Sequence, residues 1–164
     1  MSAIETETPP AEEDSSEGTP LNRMAMAVLA LAGFMIAGYM LLYEMGVIAT
    51  IACGTAGSCE AVQASPWAVF LGIPVPLLGV VGYGLILAVA LASVQPSLAH
   101  DRRIAAALLA LSAIAFLFSV YLSSVEAFLI GAWCRWCIGS ALIATLLFAF
   151  ALPEWSRVRV RSHV

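Results

Sequence analysis

The stretch AWCRWCIGSALIATLLFAFALP, residues 132–153, sets two cysteines, Cys134 and Cys137, at the mouth of a long apolar run. Between Trp136 and Leu152 there is no Asp, Glu, Lys or Arg. A hydrocarbon core about 30 Å thick needs roughly 20 apolar residues wound as helix, so this run reads as a membrane span with a dithiol at its entrance. Two cysteines separated by two residues are redox or metal equipment. What that pair can do depends on what else lies at the same end of the span.

The rest of the chain fits the same solvent. Of its 164 residues 62% are hydrophobic and 11% charged, with a mean hydropathy of +0.95. A soluble domain of that composition lacks the polar surface to dissolve it. Three more uncharged runs, Met24 to Tyr43, Pro76 to Val94 and Ile104 to Val125, complete a set of four spans. Lipid leaves no partner for an open backbone, and the alternation of barrel strands is missing, so the runs are expected as helices. The expected fold is an all-α integral membrane protein, a four-helix transmembrane bundle with a short surface half-helix between the first two spans. Residues 1–22, acidic and rich in Ser, Thr and Pro, read as a disordered tail. Residues 23–153 read as the transmembrane catalytic domain and residues 154–164 as a basic tail.

All seven basic residues are Arg. Arg23, Arg102, Arg103, Arg157, Arg159 and Arg161 fall on one side of a four-span drawing, and Arg135 falls on the other. The positive-inside rule then puts both termini in the cytoplasm. The span count alone sets Cys53 and Cys59, between spans one and two, on the same face as Cys134 and Cys137. With the orientation added, that face is the periplasm or exterior, where disulfides persist. The expected location is a bacterial inner or plasma membrane, crossed several times. No nucleic-acid partner is expected.

Between Cys53 and Cys59 stand Gly54, Thr55, Ala56, Gly57 and Ser58, small residues that let the chain close a disulfide and leave the loop mobile. Ser65-Pro66 reads as an N-cap and first helical position, opening a short helix through Leu71 that Gly72 ends. At Cys134 and Cys137 the orphan amides of a helix start, with Arg135 adjacent, favour thiolate. Two such pairs on one oxidising face can pass electrons by thiol–disulfide exchange. The apolar bundle beneath suggests a lipid-soluble acceptor, a quinone.

The alternatives are blander. The four cysteines could form two structural disulfides in a protein that is no enzyme. Zinc fits less well, because the spacing of Cys53 and Cys59 is too wide for a knuckle and His100 and His163 fall on the opposite face. Trp67, Trp133 and Trp136 read as interfacial belt residues, with Trp136 also a candidate lining of a quinone pocket. Glu44, Glu60 and Glu126 read as solvated ends, with proton supply as the alternative role.

Cys53 and Cys59 in the first outer loop, Ser65, the run FLGIPVPLLGVVGY from Phe70 to Tyr83, and CRWC at the start of the last span together resemble the vitamin K epoxide reductase family, in its bacterial disulfide-forming branch. The resemblance covers about residues 24–152. It implies a bundle holding a quinone, menaquinone or ubiquinone, near the outer face, with a half-helix capping it and Ser65 near the quinone. It implies that a reduced thioredoxin-fold partner attacks the Cys53–Cys59 disulfide at Cys59. Freed Cys53 then attacks Cys134, Cys137 is released beside the quinone, and electrons enter the membrane quinone pool. The partner, reoxidised, introduces disulfides into exported proteins. Two features depart from relatives. Animal enzymes carry Tyr four residues after the second cysteine of the pair, where this chain has Ala141, which argues against epoxide reduction; a reductase of vitamin K-type quinones working toward another substrate is the alternative enzyme. The fused thioredoxin-like domain of many bacterial relatives has no counterpart before Val164, so a separate partner is expected.

Overall fold

The computed structural model describes residues 18–53, 58–95 and 101–161. The acidic segment 1–17, Gly54 and Gly57 with the mobility expected of their loop, His100 and His163 lie outside those residues. Four long helices carry the architecture: α1 (Gly18–Glu44), α3 (Val75–Val94), α4 (Arg102–Val125) and α5 (Arg135–Arg161). Each contains a stretch long and apolar enough to cross a bilayer. Between 17% and 28% of the most apolar stretch of each span is buried within the protein, so most of its apolar surface faces outward, to lipid. The helical ends overrun the expected limits. Helix α1 starts at Gly18, inside the segment expected as tail, with Pro20 tolerated in its first turn. Helix α5 continues past Pro153 to Arg161.

The helices pack as a closed ring in the order α1, α3, α4, α5, with α1 against α3 and α4 against α5 the most extensive seams and α3 against α4 the least. Small residues set the closest seam. A Cβ on Gly79 would stand 3.0 Å from that of Ala37, and one on Gly33 would stand 2.5 Å from Cε1 of Tyr83. The Tyr83 ring therefore lies in a notch on α1. Its hydroxyl crosses the bundle to donate to the Ser140 carbonyl at 2.8 Å and sits 2.8 Å from the Ser140 hydroxyl. At the other end of the bundle, buried Arg23 donates to the Ser93 carbonyl at 2.7 Å, among the orphan acceptors of the α3 C-terminus. Asn22 donates to the Phe150 carbonyl at 3.1 Å. Asp101 caps α4 by accepting from the Arg103 amide at 2.8 Å.

The connection between α1 and α3 differs from expectation in detail. A short helix is present, but it is α2 (Ser58–Gln63), which precedes Ser65. The stretch expected as helix from Pro66 to Leu71 is one 3₁₀ turn, Pro66–Ala68, followed by a hairpin of β1 (Val69–Phe70) and β2 (Ile73–Pro74). Leu71 and Gly72, its two central residues, have φ of 52° and 83°. That left-handed pair gives the primed turn that matches strand twist. It reverses the chain where a helix would have carried it on, and Pro74 leads directly into α3. Ser65 makes no side-chain cap bond. Its hydroxyl instead donates back to the Val62 carbonyl at 2.7 Å, at the end of α2. Phe70 anchors the hairpin on α4, its ring edge-on to Phe118 at 5.4 Å.

Gly33→Ala is expected to destabilise the bundle by about 1–3 kcal/mol through displacement of Tyr83, measured by reversible denaturation in detergent micelles. In a Tyr83→Ala background the same substitution should cost almost nothing. Equal losses in both backgrounds would refute the notch.

Candidate functional site

The outer end of the ring is organised around Ala52, the residue before Cys53. Its amide donates to the Tyr39 hydroxyl at 3.1 Å, and its carbonyl accepts from the Trp136 indole N–H at 3.2 Å. Tyr39 comes from α1 and Trp136 from the first turn of α5; their rings touch at a centroid distance of 5.0 Å. Both backbone polar groups of Ala52 are thus held by the two helices that flank the site. Cys53 leaves this clamp half-buried and is disulfide-bonded to Cys59 with a Cα separation of 5.9 Å, in the ordinary range. Cys59 lies in the first turn of α2 and is fully buried.

Cys134, the residue before α5, is also fully buried, and Cys137 follows one turn into the helix. Both are free thiols. Cys59 and Cys134 share one buried cluster with Met40, Ile51 and Val62, and Cys53 and Cys137 pack against it. All four cysteines therefore lie together, one pair oxidised and one reduced.

The Cys134 thiol is pulled down to about 7, first by a hydrogen bond from the Cys137 side chain and further by the amides of Cys137 and Trp136 at the open start of α5. Burial and the nearby Glu126 carboxylate oppose that shift. The helix start acts as expected. Arg135 does not: its guanidinium lies 5.9 Å from the Trp136 ring centroid, an exposed cation–π contact, and thiolate stabilisation comes from Cys137 and the amides.

Of the three acidic residues expected as solvated ends, Glu44 and Glu60 are exposed. Glu126 is not; it is only 4% exposed. It opens a π-helical turn, Glu126–Ile130, that extends α4, closed by the Gly131 amide bonding back to the Glu126 carbonyl at 2.9 Å with Gly131 at φ 68°. The turn presents the carboxylate to the dithiol. Oε2 accepts from the Cys134 amide at 3.2 Å, and the Cys137 side chain neighbours the same carboxylate. An acid eight residues before Cys134, interrupting an apolar run, was the available signal.

Beneath the cysteines lies a cavity of about 620 Å³, lined almost wholly by apolar groups and reached by Cys137, Glu126 and Trp136 from above and Tyr83 and Ser140 from the side. The hairpin residues Phe70, Leu71 and Ile73 form part of its wall. Leu77, Val81 and Leu85 of α3 and Ile114 of α4 also line it and are themselves 39–64% exposed, so the cavity opens to the lipid face at the loosest seam of the ring. Trp136 lies in the lining as expected, and Trp67 and Trp133 are exposed. Ser65 lies outside the lining. Gln63, two residues earlier, is within it, and its Nε2 is buried without a hydrogen-bond partner. Ala141 of α5 also lines the cavity.

A helical membrane bundle that sets a disulfide against a buried dithiol, over a cavity open to lipid, defines a membrane thiol-redox protein. The sequence model of the vitamin K epoxide reductase family matches residues 24–152, most of the chain, and the protein belongs to that family of oxidoreductases. No curated protein matches it.

Thiolate absorbance of Cys134, followed with the Cys53–Cys59 disulfide intact, is expected to rise with a midpoint near pH 7. Cys137→Ala should move that midpoint upward, because the largest stabilising contact is gone. An unmoved midpoint would contradict the assignment.

Proposed function

We propose that the protein takes electrons from a reduced thioredoxin-fold partner and delivers them through its two cysteine pairs to a membrane quinone, menaquinone or ubiquinone. The observation that carries this reading is the gathering of all four cysteines in one cluster over a lipid-open cavity. Two structural staples would leave the second pair oxidised and would not call for a hydrogen-bonded dithiol with a lowered thiol.

In this reading the partner's two electrons reduce the Cys53–Cys59 disulfide, and a mixed disulfide to Cys134 carries them to the inner pair. The pairs as they stand, one oxidised and one reduced, match the point at which electrons have reached Cys134 and Cys137. The resemblance assigns the partner's attack to Cys59 and the onward attack to Cys53. Because Cys59 is buried, that order requires the segment bearing it to swing outward when the partner docks, while the Ala52 clamp keeps Cys53 near Cys134.

The cavity residues suit a quinone. Gln63 Nε2 is an unpartnered donor in an apolar wall, and a quinone carbonyl is an acceptor with no proton to offer. Trp136 supplies an aromatic face beside Cys137. Ser65 acts through the end of α2, which carries Gln63. When bound, a quinone supplies the acceptor for two electrons and two protons. The Arg distribution supports an orientation with both termini in the cytoplasm and the cysteines facing the periplasm or exterior.

The test is quinone reduction by the purified protein with a reduced thioredoxin-fold partner, repeated with each cysteine changed to Ser. Every single variant should lose turnover, and Gln63→Leu should raise KM for quinone while leaving disulfide exchange intact. Cys59→Ser is expected to accumulate a Cys53–Cys134 disulfide, seen by peptide mapping; a Cys59–Cys134 bond in Cys53→Ser instead would reverse the order of exchange. Full turnover by all four cysteine variants would remove the relay altogether.

A further inference from the structure

Oxidation of a buried dithiol poses a proton problem. Cys134 can lose its proton before the reaction, but Cys137 sits in a largely apolar wall and bears a hydrogen that must leave as its sulfur joins Cys134. The structure puts one carboxylate beside that thiol. Glu126, nine-tenths buried, accepts from the Cys134 amide at 3.2 Å, and its carboxylate is a neighbour of the Cys137 side chain, with which it lines the cavity. Neither of these partners is a cation, so the group is not there to neutralise a buried charge. A buried carboxylate is costly, and it is held by a π turn, a rare element that often marks functional positions.

We propose that Glu126 is the catalytic base of the inner pair: its carboxylate takes the proton of the Cys137 thiol as the Cys134–Cys137 disulfide forms, and returns it at the cavity wall to the reduced acceptor. The step balances. Two sulfurs give up two electrons as one S–S bond forms, and a quinone receives them. One proton comes from Cys137 by way of Glu126. The second comes from the outer aqueous phase, replacing the one Cys134 released there on ionising. Glu126 ends ionised, as it began. The inference rests on the reading above for the destination of the electrons, but not for the identity of the base.

The experiment uses the full chain, reduced at Cys134 and Cys137, and follows oxidation of that pair by a quinone and, separately, by diamide, a diffusible two-electron thiol oxidant that needs no quinone site. Glu126→Gln keeps an acceptor for the Cys134 amide and removes the base. It is expected to slow both oxidations by about 100-fold, with exchange at Cys53–Cys59 unchanged and Glu126→Asp partly restoring the rate. Time-resolved infrared difference spectra of the unsubstituted protein should show a carboxylic acid C=O band that rises and decays during dithiol oxidation and is missing in Glu126→Gln. Unaltered rates with both oxidants in Glu126→Gln would overturn the proposal, as would the absence of that band, which decides the matter even if the variant folds poorly. If the unsubstituted dithiol ignores quinone yet reacts with diamide in a Glu126-dependent way, the quinone reading fails and the base stands.

Discussion

The outer end of the protein depends on where the chain is held at Ala52. A loop that carries a reactive cysteine must stay close to its target, and Tyr39 and Trp136 hold it there through both backbone polar groups of Ala52. Because Trp136 is next but one to Cys134 and adjacent to Cys137, the residue that fixes the loop belongs to the turn that carries the dithiol. Position and chemistry are thereby set by the same few atoms. The disulfide then ties Cys59 and helix α2 into the cluster, and α2 brings Gln63 to the cavity.

The bilayer determines the rest. Between helices in lipid there is little hydrophobic drive to associate, so close packing of small residues and interhelical hydrogen bonds hold the ring. Tight contact along α1 and α3, with Tyr83 notched against Gly33, leaves the looser seam between α3 and α4 as the place where a cavity can open sideways. Polar groups are concentrated where that cavity meets the cysteines. Glu126, Gln63 and the Tyr83–Ser140 pair face inward, and the outward surface is left to Leu, Ile and Val.

The four spans were legible because lipid demands long uncharged runs, and a run such as Pro76 to Val94 admits few other readings. The four cysteines were legible from span count alone. The hairpin was not, since Ser65-Pro66 and Gly72 punctuate a short helix as well as they punctuate a turn; only the positive φ at Leu71 separates the two. Helix order was hidden because the spans are apolar all round. Glu126 was misread as an interfacial end because an acid at the limit of a hydrophobic run marks a boundary in hydropathy, whereas a π turn carries it into the protein. Gln63 gave no periodic signal, and its place follows from the disulfide that positions α2.

The central claim is that the inner pair, Cys134 and Cys137, is the direct reductant of a lipid-soluble acceptor. Single-turnover mixing of quinone with a Cys53→Ser, Cys59→Ser double variant, reduced and freed of reductant, tests it without partner or loop chemistry. The account predicts one quinone reduced per chain, with formation of the Cys134–Cys137 disulfide. Quinone left unreduced, with both thiols still free, would contradict it.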